Sequence, residues 1–221
     1  MRRVTGIATN AHRQGRFDIQ VDGQTVATLS LETVERLNLS IGSQWSGETA
    51  ESAMREAAAT ATYDRALDTL ARRARSTGEL AYLLVRRGEP SEHVQAAIER
   101  LTTLGLLDDT AYAVGVVRSK IAGAAFSLRR VRTELTRRRV ARDVADKAIS
   151  MVAAEEGPRV RDALDRLTSR KARSLASLSP DVQRRRLWAH LARRGYDVDE
   201  IRAAVERLAR QSEGDAPETS D

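Results

Sequence analysis

The chain has 221 residues, 41% of them hydrophobic, and a formal net charge of +6, enough for one or two globular domains with a buried core. It contains no cysteine, which excludes disulfides, thiolate catalysis and Cys-ligated zinc. No apolar run approaches the roughly 18 residues of a membrane span, and MRRVTGIATN lacks the apolar centre of a secretion signal, so a cytoplasmic protein without membrane association is expected.

Residues 1–46 read differently from the rest. In RFDIQVDGQTVATLS, Asp22 and Gly23 separate two alternating runs, a hairpin signal because a type I′ turn needs positive φ at both central residues. Phe17, Ile19 and Val21 would share one face. Ser30 precedes a short helix candidate, LETVERLNL, and IGSQW returns to an extended pattern ending at Trp45. A small, nearly neutral β-containing subdomain is predicted here. The Ala- and Glu-rich stretch 47–62 then forms a helical linker into YDRALDTLARRAR, one long or interrupted helix with Ala66, Leu67, Leu70 and Ala71 as its stripe.

From there only helices are expected, through residue 210. Ser76 and Glu79 make a capping box, and Gly88 supplies the left-handed residue that stops the helix. Ser91 caps the next, which Gly105 ends. In LGLLDDTAYA, Leu106 and Leu107 seal the turn by burial, and Asp108 or Asp109 caps AYAVGVVRSKI. A loop over 123–127 leads to Ser127, the cap of an arginine-rich helix buried through Val131 and Leu135. Pro158 suits a first helical turn after Gly157, followed by Leu164 and Leu167. Ser179 with Pro180 opens a further helix, and Asp197 with Glu200 forms the last capping box. Residues 212–221, with four acids and no base, form a disordered acidic tail able to screen a basic surface.

One helix ending returns three times: LLVRRG (83–88), ELTRRR (134–139) and HLARRG (190–195). Counting from Gly88, Arg139 and Gly195, the positions eight before are Leu80, Val131 and Leu187, four before Leu84, Leu135 and Leu191, and ten after Ile98, Ile149 and Val205. Positions four apart share a helix face, so each copy is a buried stripe, an Arg-Arg end, a turn and a second amphipathic helix. A stacked helical array follows. Its boundaries are 63–108, 109–157 and 158–211.

Of 37 basic residues only Lys120, Lys147 and Lys171 are lysine. Residues 129–142 hold seven arginines and one acid, Glu134, and 182–196 hold Arg184, Arg185, Arg186, Arg193 and Arg194 without any acid. Cations at helix C-termini meet the negative dipole end, which accounts for the RR pairs. Arg129, Arg130 and Arg132 at a helix start oppose the dipole and point instead to a polyanion or an acidic protein surface. The adjacent Asp108 and Asp109 suit a helix start better than a catalytic carboxylate pair, and His93 reads as an ordinary helix residue. Trp188 reads as packing, or as a partner anchor if exposed.

The pieces RALDTLARRARSTGELAYLLVRRG, VQAAIERLTTLGLLDDTAYA, RRVRTELTRRRV and SPDVQRRRLWAHLARRGYDVDEIRAAV, in this order, resemble the RecX family, regulators of the RecA recombinase. LGLLDD followed by an aromatic is the most specific of them. The resemblance implies a mainly α fold of three tandem three-helix repeats in an elongated curved array. It also implies a monomer without catalytic residue, cofactor or metal, lying in the groove of a RecA filament on DNA. Such a protein modulates, usually inhibits, ATPase and strand exchange in recombination, DNA repair and the SOS response.

Interface candidates for RecA, or more weakly for single- or double-stranded DNA, are Arg86, Arg87, Arg129, Arg130, Arg132, Arg137, Arg138, Arg139, Arg193 and Arg194. Arg139 stands where the family commonly has glycine, and residues 1–46 fall outside the core of the resemblance. A freestanding helical DNA-binding protein such as a transcription factor is the alternative, but no helix-turn-helix pair with a polar recognition helix emerges. An enzyme is disfavoured: His12, His93 and His190 are scattered, and neither HExxH nor a phosphate loop occurs.

Overall fold

The computed structural model describes residues 2–122 and 127–214, with side chains to residue 210. The expected loop over 123–127 therefore falls outside the description except for Ser127, and the tail is described only in its first residues, which continue a helix to Gly214. The chain divides into two compact units, 1–107 and 108–221.

In the first unit, β1 (Val4–Thr9), β2 (Arg16–Val21) and β3 (Gln24–Ser30) form an antiparallel sheet in that order. Asp22 and Gly23 have φ of 51° and 78°, the backbone a type I′ turn demands. Ile19 and Val21 are fully buried and Phe17 half-buried on the shared face. Strand β1 is not marked by any alternation in its sequence. Gly6 breaks its alternation and lies under the Gln20 side chain, and a bulge falls between Val4 and Gly6. IGSQW is a turn rather than a strand: Gly42 has φ of 90°, and only Gln44 bridges to Arg3. Trp45 is nevertheless buried, its amide donating to the Arg2 carbonyl.

Ser30 caps α1 (Leu31–Arg36), accepting from the Thr33 amide. Helix α2 (Gly47–Arg72) is continuous and joins two cores. Ala53 packs with Val4, Ile19, Leu29 and Trp45, and Ala66 with Leu80, Leu84, Ile98 and Leu101. Arg16 and Arg13 of the sheet region clamp it through Asp64, at 2.5 Å, and Asp68. Its stripe is corrected: Ala71 is exposed, and Thr62 and Thr69 are buried with Ala66, each threonine hydroxyl donating to the carbonyl four residues back. The unit closes with α3 (Thr77–Arg86), capped by Ser76, and α4 (Ser91–Thr103). Ser91 is the first helical residue and Pro90 the cap, so the predicted serine cap is wrong. Leu107 is buried but Leu106 is 54% exposed, so one leucine rather than two seals the turn.

The second unit holds α5 (Asp109–Ala122), α6 (Leu128–Arg137), α7 (Arg142–Arg173), α8 (Pro180–Arg193) and α9 (Val198–Gly214) around one core. Asp108 caps α5 by accepting from the Ala111 amide. Helix α7 kinks at Glu156 (φ −120°, ψ 20°), two residues before Pro158, which lacks the amide and crowds the preceding turn. Its two halves serve successive repeats: Ala145, Ile149 and Val152 before the kink, Leu164 and Leu167 after it. The result is a mainly helical protein of three tandem three-helix domains with a small N-terminal β-subdomain. All the stripe positions at minus eight and minus four are buried, as are Ile98 and Ile149; Val205 is half-buried. Among the described residues, strands are confined to the first 30 positions.

Candidate functional site

Helix α6 is short, and Val131 and Leu135 are its wholly buried residues. Its start is fixed from outside. Ser127 accepts from the Arg130 amide at 3.3 Å and donates its hydroxyl to the Gly195 carbonyl at 2.6 Å, while its own amide donates to the Arg194 carbonyl at 3.2 Å. The Arg130 guanidinium donates to the Arg193 carbonyl at 2.5 Å. Carbonyls at the end of a helix lack intrahelical donors, so α8 is terminated by groups from α6. Gly195, with φ of 87°, makes the approach possible: a methyl group there would lie 2.8 Å from Ser127 Oγ.

This junction opens a cleft of about 520 Å³ lined by Arg129, Arg130, Arg137 and Arg193, with Thr133 and Glu134. The four arginines come from both blocks that stand out in the sequence. They are not equivalent. Arg130 is committed to the Arg193 carbonyl. Glu134, the single acid, is held by Arg138 at 2.9 Å. Burial opposes the charge on Arg138, but hydrogen bonds to Tyr112 and Glu134 outweigh it and leave its pKa above the ordinary arginine value. Arg129, Arg137 and Arg193 are exposed and have no carboxylate within ion-pair distance among the described residues. Their charges are thus uncompensated.

The remaining candidates lie elsewhere. Arg132 is paired with Asp146 at 2.5 Å. Arg139 is exposed with φ of 58°, and Arg194 is half-buried beside its carbonyl's bond to Ser127. Arg86 and Arg87 belong to the first unit, Arg86 over the Tyr82 ring at 5.7 Å and Arg87 donating to Thr69 at 3.1 Å. His190, on α8, is kept below the usual histidine pKa by burial and then by the charges of Arg194, Lys171 and Arg193. Nothing in the sequence marks Thr133 or the role of Gly195 as a contact, because both depend on which helix end meets α6.

Among the described residues no cluster of His, Asp or Glu could hold a metal ion, and no helix is long and apolar enough to cross a membrane.

Family models match the chain in three places: the first three-helix domain of RecX over residues 63–101, the second over 108–149 and the third over 160–205. The chain is 37% identical over 141 residues to the regulatory protein RecX of Xanthomonas axonopodis pv. citri, covering 64% of this chain and 83% of that protein. It is 31% identical over 147 residues to the one from Prosthecochloris aestuarii, covering 66% and 91%. A crystal structure of a regulatory protein RecX superposes with a TM-score of 0.76 at 18% identity, over 93% of this chain and all of the other. RecX from Lactobacillus salivarius gives 0.62 at 18% identity, over 69% and 97%. The 93% coverage leaves fewer residues unmatched than the first segment contains, so that likeness extends into the β-subdomain.

Proposed function

The chain belongs to the RecX family, and we propose that it acts as a monomeric, non-catalytic inhibitor of RecA, seated in the groove of the RecA–DNA filament and slowing ATPase and strand exchange. The observation that carries the interface is the convergence of Arg129, Arg137 and Arg193 on one cleft whose single acid, Glu134, is already paired with Arg138. Arginine keeps its charge at any physiological pH and offers a planar fork of donors matched to carboxylate or phosphate. Three such groups at one junction favour a polyanionic partner over a solvated surface.

Tandem repeats supply several modest contacts along one chain, and simultaneous contacts with more than one RecA protomer would combine as avidity. Preference for one protomer arrangement then shifts the filament toward it. DNA is the weaker partner, held through phosphates, and the candidates outside the cleft, Arg86, Arg87, Arg132, Arg138, Arg139 and Arg194, contribute less because several already have partners within the chain.

The test is RecA ATPase on single-stranded DNA with wild-type protein and with Arg129, Arg137 and Arg193 all replaced by alanine. The triple variant is expected to fold, since none of the three is buried, and to lose most of its inhibition. Full inhibition by the folded variant would remove this cleft from the mechanism. The salt dependence of DNA binding separates partners: each lost phosphate contact lowers the slope by about 0.7–0.9, whereas loss of a RecA carboxylate contact leaves binding to bare DNA unchanged.

A further inference from the structure

The chain has two tryptophans. Trp45 is buried in the first unit. Trp188 is half-buried on α8, packed in part against the core of the second unit, and it borders a separate cleft of about 550 Å³ with Asp181, Val182, Arg184 and Arg185. The helix explains the combination. Leu187 and Leu191 point inward, and each residue turns the helix by about 100°, so Trp188 leaves one flank on the core and shows the other to the cleft. Arg184 and Arg185, four and three positions back, stand on the same face.

Arg185 has no carboxylate partner among the described residues, and Arg184 has only the exposed Asp181 at 3.6 Å. A long pair between exposed side chains holds neither group firmly. The cleft therefore joins an aromatic face to two accessible guanidinium groups.

We infer that this Trp188–Arg184–Arg185 shelf is a binding site for single-stranded nucleic acid, taking one unstacked base against the indole and the adjoining phosphates against the two arginines. Every base has a π-face, so stacking on an aromatic side chain tolerates sequence, and the arginine forks suit phosphate. A duplex keeps its base faces stacked inside and offers this shelf only phosphates. Charge attraction, which governs the α6–α8 cleft, carries no such strand preference. The inference rests on the proposed reading only in taking nucleic acid as a partner; RecA regulation does not enter it.

The experiment uses the full chain with Trp45→Phe, so that Trp188 is the sole tryptophan, titrated with a dT oligonucleotide and separately with a duplex of equal length. Saturable quenching by the single strand, much weaker with the duplex, is the expected result. Trp188→Leu should weaken single-strand affinity by about 5- to 150-fold, the equivalent of about 1–3 kcal/mol for one stacked base, with duplex affinity unchanged. Trp188→Phe keeps a ring and should retain most of the binding, which separates loss of stacking from loss of folding. Arg185→Ala should weaken binding with the indole in place.

Equal quenching by duplex and single strand, or wild-type single-strand affinity in Trp188→Leu, would overturn the inference. So would quenching by RecA alone with none by the oligonucleotide, which would make the shelf a protein contact. Full RecA inhibition by the Arg129, Arg137 and Arg193 variant with single-strand quenching of Trp188 intact would sink only the RecA reading, whereas lost inhibition in that variant with no single-strand quenching of Trp188 would sink only this inference.

Discussion

Gly88, Arg139 and Gly195 occupy the same place in three repeats and share left-handed φ values of 88°, 58° and 87°. An L side chain in that region costs about 1 kcal/mol relative to glycine, so the middle repeat carries a strain that the other two avoid. Arg139→Gly should raise stability by about 1 kcal/mol, read as an increase in melting temperature. Gly88 and Gly195 differ in their surroundings. At Gly88 a methyl group meets no heavy atom within 4 Å, whereas at Gly195 it meets Ser127 Oγ at 2.8 Å and Arg130 Cβ at 3.1 Å. Gly195→Ala should therefore destabilise more than Gly88→Ala in parallel melts; equal losses would show that only the backbone angle matters. The angle was legible in the sequence from the repeated helix ending. The contact was not, since nothing local announces that a serine 68 positions away in the chain will arrive there.

Among the elements, helices were legible where a cap and a stripe coincide. Asp197 and Glu200 exchange both bonds of a capping box, at 2.8 and 2.9 Å, and Ser76 and Ser127 accept from the amides three residues on. Strand β1 leaves no alternation in the sequence because a glycine and a bulge erase it, whereas the break that Gly157 and Pro158 signal is present as the kink at Glu156, which divides α7 between two repeats. The arginines of the cleft were legible as charge. Their division into committed and uncompensated groups was not, because Asp146, Glu134 and the Arg193 carbonyl reach them only in the fold. Ser127 tests how much the α6 start depends on its partners. Ser127→Ala removes a cap and a buried hydrogen bond to the Gly195 carbonyl, together about 2 kcal/mol, and should lower the melting temperature while Val131 and Leu135 preserve the helix content seen by circular dichroism.

For the whole molecule, three repeats do not make three independent folding bodies. The chain divides once, between Leu107 and Asp108; α2 belongs to both cores of the first unit, and α7 runs through two repeats of the second around one core. Fragments 1–107 and 108–221 should each show a cooperative urea transition. A fragment 1–157 should retain only the first, since it lacks Leu164, Leu167, Leu187 and Leu191 from the shared core. A second cooperative transition in fragment 1–157 would show that repeat two stands alone. The bond from Ser127 to Gly195 sets an order on synthesis as well. A chain emerging N-terminus first can close its first unit once residue 107 is out, since domains fold as units during translation. The start of α6 must wait for the end of α8, so the arginine cleft cannot exist on a nascent chain until nearly all of the protein has left the ribosome.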